Sequence, residues 1–103
     1  LKAILIRPDR NMDAVRQKTV AVALSYRPST MDVLELMKKG KSIRYIFVPK
    51  SQMETIGQAT KRTAEDNGVT LTTSPKDFRG IRTDLNGPEI EIEYDEENEN
   101  KEV

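Results

Sequence analysis

The chain contains no cysteine, no histidine and no tryptophan, and each absence removes a body of chemistry. Without Cys there is no disulfide, zinc ribbon, iron–sulfur cluster or thiol nucleophile. Without His there is no Ser-His-Asp triad, no His-ligated haem and none of the usual catalytic zinc sites. Aromatics are limited to three Tyr and two Phe, so a stacking platform for single-stranded nucleic acid is poorly supplied. The longest apolar runs, residues 3–6 and 20–24, fall far short of the roughly 20 residues that a membrane-spanning helix needs. With no recognisable signal peptide, the expected location is the cytoplasm. Leu1 reads as an alternative start codon or a clipped chain. No residue pattern calls for a cofactor, and an enzyme is not expected.

What remains is a chain of 103 residues and 11.7 kDa, 36% apolar and 33% charged. That is one small soluble domain with a modest core. The formal net charge of zero hides a split. Residues 1–88 carry 16 Lys and Arg against 9 Asp and Glu, a surplus of +7, and residues 89–103 carry 1 Lys against 8 acids, a surplus of −7. Charge separated by segment reports on partners more than on fold.

The apolar runs give the element order. Residues 3–6 read as a first strand, ended by Arg7-Pro8. Residues 9–18 read as a short helix or a loop. Residues 20–24 are apolar without alternation, the mark of a strand buried on both faces in a parallel sheet. Ser29 caps a helix over 30–39, with Asp32 reaching back to it and Gly40 as the stop. Residues 43–48 are a third strand, ended by Pro49. Ser51-Gln52-Met53-Glu54 has the form of a capping box and predicts one helix from there to Asn67-Gly68. Its inner stripe would be Met53, Ile56, Gly57, Thr60 and Ala64, small enough to lie close to a sheet or a partner. Residues 69–73 are a fourth strand and 74–88 a loop. Residues 90–94 alternate and read as a half-buried strand, and 95–103 as disordered.

This predicts an α/β domain over 1–88, of two or three layers, with a four-stranded mainly parallel sheet. An acidic tail over 89–103 would add a fifth strand. The weak link is the one between strands one and two, about twelve residues long, which barely allows a helical crossover and leaves an antiparallel pair open.

Three strand ends share a character: Arg7-Pro8, Arg27-Pro28-Ser29-Thr30 and Pro49-Lys50-Ser51. A parallel sheet brings them to one edge, beside helix N-termini, where α/β sheets bind ligands and helix ends attract anions. Arg79 and Arg82 of the later loop join Arg27, Ser29, Thr30, Lys50 and Ser51 as candidates for an anion or an acidic partner surface. The plainer alternative is that Ser29 and Ser51 only cap helices and the cations are only solvated. Tyr26 reads as wall packing more than as an acid. Asp32, Glu35 and Asp84 are scattered carboxylates without metal-ligand spacing. Met31, Leu34 and Met37 share a helix face. With Met12 and Met53, the methionines fill a core or, in the sharper reading, form an adaptable contact surface. Ile90, Ile92 and Tyr94 either edge the chain's own sheet or pair with another chain.

The stretches Leu24-Ser25-Tyr26-Arg27-Pro28-Ser29, Val48-Pro49-Lys50-Ser51 with Thr55-Ile56, Gly68-Val69-Thr70-Leu71 and Gly80-Ile81-Arg82-Thr83-Asp84 resemble, in that order, a small archaeal domain-of-unknown-function family. The family is numbered 1699 and found chiefly in methanogens. The resemblance spans residues 20–86, and the acidic segment after Gly87 is additional to it. The family offers no catalytic residues to carry over. It implies a cytoplasm that holds methanogenesis enzymes. The first expectation is therefore a non-enzymatic accessory or regulatory protein on a larger complex, with a corrinoid-dependent methyltransferase as one candidate host. The alternatives are a nucleic-acid binder whose acidic tail is autoinhibitory and a sensor of a small anionic ligand at the strand-end edge.

Overall fold

The runs read as strands do form the centre of a sheet. The computed structural model of the chain describes residues 2–7, 13–73 and 89–92. The elements are β1 (Lys2–Ile6), β2 (Ala21–Leu24), α1 (Thr30–Lys39), β3 (Tyr45–Val48), α2 (Lys50–Met53), α3 (Gln58–Asp66), β4 (Thr70–Thr73) and β5 (Glu89–Glu91). The sheet order is β4-β3-β2-β1-β5. The first four strands are parallel and join in chain order, and β5 runs antiparallel to β1. The link between β1 and β2 is thus a parallel crossover, with Ile4 opposite Val22. Among its described residues, 13–20, it uses turns and no helix.

Strands added one after another by right-handed crossovers place every connection on the same face. Accordingly, Val33 and Leu36 of α1 and Ala64 of α3 share one core with Ile6, Val22, Leu24, Ile46 and Val48. The alternate residues Ala3, Leu5, Ala21, Ala23, Tyr45 and Phe47 form a second core on the other face, joined by Ile90 and Ile92. Both β2 and β3 are buried at all four positions, as a strand covered on both sides must be. Tyr45 and Phe47 stack with ring centroids 6.2 Å apart.

α1 has the predicted ends. The Asp32 N–H donates to Ser29 Oγ at 3.3 Å, and Asp32 Oδ2 accepts from the Ser29 N–H at 2.8 Å and from its hydroxyl at 3.0 Å. At the other end the Gly40 N–H donates to the Leu36 carbonyl at 2.8 Å. A Cβ on Gly40 would meet Ile43 Cδ1 at 2.6 Å and Val15 Cγ1 at 3.0 Å. The glycine lets the β1–β2 crossover and the chain entering β3 close over the helix end. Asp13 on that crossover reaches Lys39 at 3.6 Å.

The single helix expected from 51 to 67 is two. α2 is one turn, and the chain leaves it over residues 54–57 before α3 begins. Thr55 gives its hydroxyl to the Gln52 carbonyl at 2.9 Å. That local bond competes with a continuing helix, and the β-branched pair Thr55-Ile56 followed by Gly57 has little helical preference to resist it. Ser51 is consequently not a cap: Pro49 holds that position, with no side-chain hydrogen bond. Gly57 is the N-cap of α3 in an extended conformation, and a Cβ there would touch nothing, so it serves no close packing. Ile56, Thr60 and Ala64 do point inward as the stripe predicted.

The C-terminal stop of α3 also follows the sequence. Gly68 has φ +72°, its N–H donates to the Glu65 carbonyl at 3.0 Å, and the Val69 N–H donates to the Ala64 carbonyl at 2.9 Å. This is the Schellman arrangement, and the left-handed glycine is what it requires. β5 then places Ile90 opposite Ala3. Lys2 and Glu89 approach to 3.8 Å on its exposed side.

Candidate functional site

The parallel register sets the ends of β1, β2 and β3 at one edge, with Ala23 opposite Phe47 and Ile6 opposite Leu24. Arg27 and Lys50 emerge there and are exposed. Two ingredients of an anion site are nevertheless spent or missing. A ligand crevice in an open α/β sheet opens where successive connections leave toward opposite faces. Here α1 and α3 lie on the same face, as does Val15 of the β1–β2 connection, and no such divergence occurs among the described residues of β1 to β4. The N-terminus of α1 already holds a carboxylate, since Asp32 accepts from Ser29 at that position. Ser29 therefore works as a cap. The Thr30 hydroxyl lies 3.2 Å from that of Thr60, tying the first turns of α1 and α3 together.

Ser51 sits exposed inside the one-turn α2. Arg79, Arg82, Lys76 and Asp84 lie outside the described residues, as do Met12 and Tyr94. Ile90 and Ile92, at 8% and 3% exposure, are taken up by the second core. Their apolar faces are committed to the chain's own sheet. Tyr26 is buried in the first core, as wall packing requires. Asp32 is committed to its cap, and among the described residues no cluster of three or more acids could hold a metal ion.

Among the described residues, two of the three exposed large apolar side chains lie on α1. Its inner side is Val33 and Leu36, both fully buried. Its outer side presents Met31 at 65% exposure and Leu34 at 40%. These are i, i+3 neighbours and lie one above the other on the helix surface. With the half-buried Met37 they form the wall of a groove of about 280 Å³, bordered by Glu35, Lys38 and Lys41. Met37 and Met53 pack partly against the first core, whereas Met31 does not. Of the two readings open for the methionines, core filling suits Met37 and Met53, and a contact surface suits Met31.

The signal for this face was present in the sequence. Five of the ten residues in Thr30-Met31-Asp32-Val33-Leu34-Glu35-Leu36-Met37-Lys38-Lys39 are apolar. They make two stripes, 31/34 and 33/36, and a helix lying on one sheet buries only one.

One family model matches residues 5–87 of the chain, described as the N-terminal domain of a family of unknown function, DUF1699. No curated protein matches, and no solved structure does.

Proposed function

We propose that this chain, which belongs to the DUF1699 family through that N-terminal domain, is a non-enzymatic accessory or regulatory protein that docks on a larger protein complex by the outer face of α1. The observation that carries the proposal is the exposed pair Met31 and Leu34. Scattered surface apolar residues are ordinary. This pair is adjacent, continuous with Met37, and set in a groove with charged borders. Full burial of such a side chain is worth about 1.5–3 kcal/mol, and covering the part still open, 65% of Met31 and 40% of Leu34, is worth a corresponding fraction, enough to centre a transient interface. Methionine suits such a surface because its unbranched thioether adapts to a partner's shape. Lys38 and Lys41 on the border favour a partner segment that mixes apolar and acidic residues. The setting in a methane-pathway complex rests on the family resemblance alone.

The experiment compares native-lysate capture by the wild-type chain with capture by the double variant Met31→Glu, Leu34→Glu. Both side chains are exposed, so the variant keeps its fold and melting temperature. A partner recovered in fixed stoichiometry by the wild type and lost by the variant is the expected result. Equal recovery by both, or no stoichiometric partner for either, would overturn the proposal.

A further inference from the structure

A cavity with no role so far lies at the opposite end of the sheet from the candidate edge, away from the α1 face. It is an open cleft of about 440 Å³ where β1, β2 and the β1–β2 crossover meet. Its apolar lining is the partly exposed Ile4 and Ala14, with the buried Ala3 and Ala21 beneath them. Val20 forms a wall and is left 39% exposed, one of only three large apolar side chains so exposed among the described residues. The rim is cationic, with Lys2, Arg16 and Lys18 against the single acid Glu89.

The rim is held in place by backbone geometry. The Thr19 N–H donates to the Arg16 carbonyl at 3.1 Å, and the Arg16 N–H donates to Thr19 Oγ1 at 2.8 Å. The next carbonyl, that of Val20, accepts from the Arg44 N–H at 2.7 Å. Arg16 and Lys18 thus project from a closed turn anchored to the sheet. The acid on the rim is a weak competitor: Glu89 meets Lys2 at 3.8 Å with both side chains more than half exposed, and such pairs contribute little.

An apolar lining under a cationic rim, anchored at its backbone, suits a carboxylate carried on a short apolar chain. We propose that this cleft binds a small amphipathic carboxylate, with its chain against Ile4, Ala14 and Val20 and its anionic group between Arg16 and Lys18. Neither half of the site suffices by itself. The lining is too open to hold a neutral chain firmly, and the rim cations are too exposed to hold a lone anion.

The test uses three probes that separate these halves: octanoate, octanol and acetate, each titrated into isotope-labelled chain with amide and methyl shifts followed by NMR. Octanoate should shift Ile4, Ala14 and Val20 and bind about tenfold more tightly than either other probe, the worth of one charge-assisted contact. The variant Arg16→Ala, Lys18→Ala should bring octanoate down to the level of octanol. Its fold is expected to persist, because Arg16 makes its turn bonds through its backbone. A variant of equal charge change on α3, Lys61→Ala, Arg62→Ala, should bind like the wild type. Added salt should weaken octanoate and leave octanol unchanged, and this readout needs no variant. The proposal is overturned if octanol or acetate binds as well as octanoate. Shifts that fall on Met31 and Leu34 in place of the cleft, or a control variant that weakens binding as much as the rim variant, would also overturn it.

Discussion

Helices α1 and α3 do the same structural work and differ in what they show to solvent. Both connect parallel strands on one face of the sheet, and both bury a narrow stripe, Val33 and Leu36 from α1 and Ala64 from α3 in the same core, with Thr60 of α3 buried against Thr30. The outer side of α3 carries Gln58, Arg62, Glu65 and Asp66, as a helix covering a sheet ordinarily does. The outer side of α1 carries Met31 and Leu34. Their ends differ too: α1 has a reciprocal side-chain cap, and α3 has only the backbone of Gly57. A fold needs each helix to bury one stripe, so the second apolar stripe on α1 is surplus to folding. α3 shows what α1 would look like without it.

The sharpest way to break the comparison is to truncate both sides of α1. Leu36→Ala removes a fully buried side chain and should cost about 2–5 kcal/mol in chemical denaturation. Leu34→Ala should cost about 0.5 kcal/mol or less. Equal costs would mean that the outer stripe is part of the core after all. Next in size is Gly40→Ala, which drives a methyl into Ile43 and Val15 and should cost about 1–3 kcal/mol by overpacking. Ser29→Ala removes the hydroxyl half of the α1 cap and should cost about 1 kcal/mol. The smallest effect has the opposite sign. Gly57→Ser gives α3 the cap it lacks, at a position where a Cβ meets nothing, and should raise stability by a few tenths of a kcal/mol. A loss of stability there would show that the break before α3 depends on glycine itself.

The sheet was legible because its information is local. Runs such as Ala21-Val22-Ala23-Leu24 need no partner to announce a doubly covered strand, and the alternation of Ile90 and Ile92 announced the fifth. Ser29 with Asp32, and Asn67 with Gly68, marked helix ends through hydrogen bonds that a few consecutive residues satisfy among themselves. The break at residues 54–57 was not legible, because Ser51 and Glu54 stand at capping-box spacing while the deciding bond, from Thr55 to the Gln52 carbonyl, is equally local and runs against it. The candidate edge was half legible. Its described members, Arg27, Ser29, Thr30, Lys50 and Ser51, do share one end of the sheet, but the Asp32 carboxylate that completes the Ser29 cap also occupies the α1 terminus, a consequence that the capping pattern alone did not announce. The exposed outer face of α1 was visible only as one of two readings, since composition does not say which of two apolar stripes the sheet will take.

The central claim is that the outer face of α1 is an interface and the outer face of α3 is not. The most direct measurement places a photo-crosslinking benzophenone residue at position 31 in one variant and at position 62 in another, in native cells under irradiation. The account expects one discrete, stoichiometric adduct from position 31 and none from position 62. Adducts from both positions alike, or none from position 31, would contradict it.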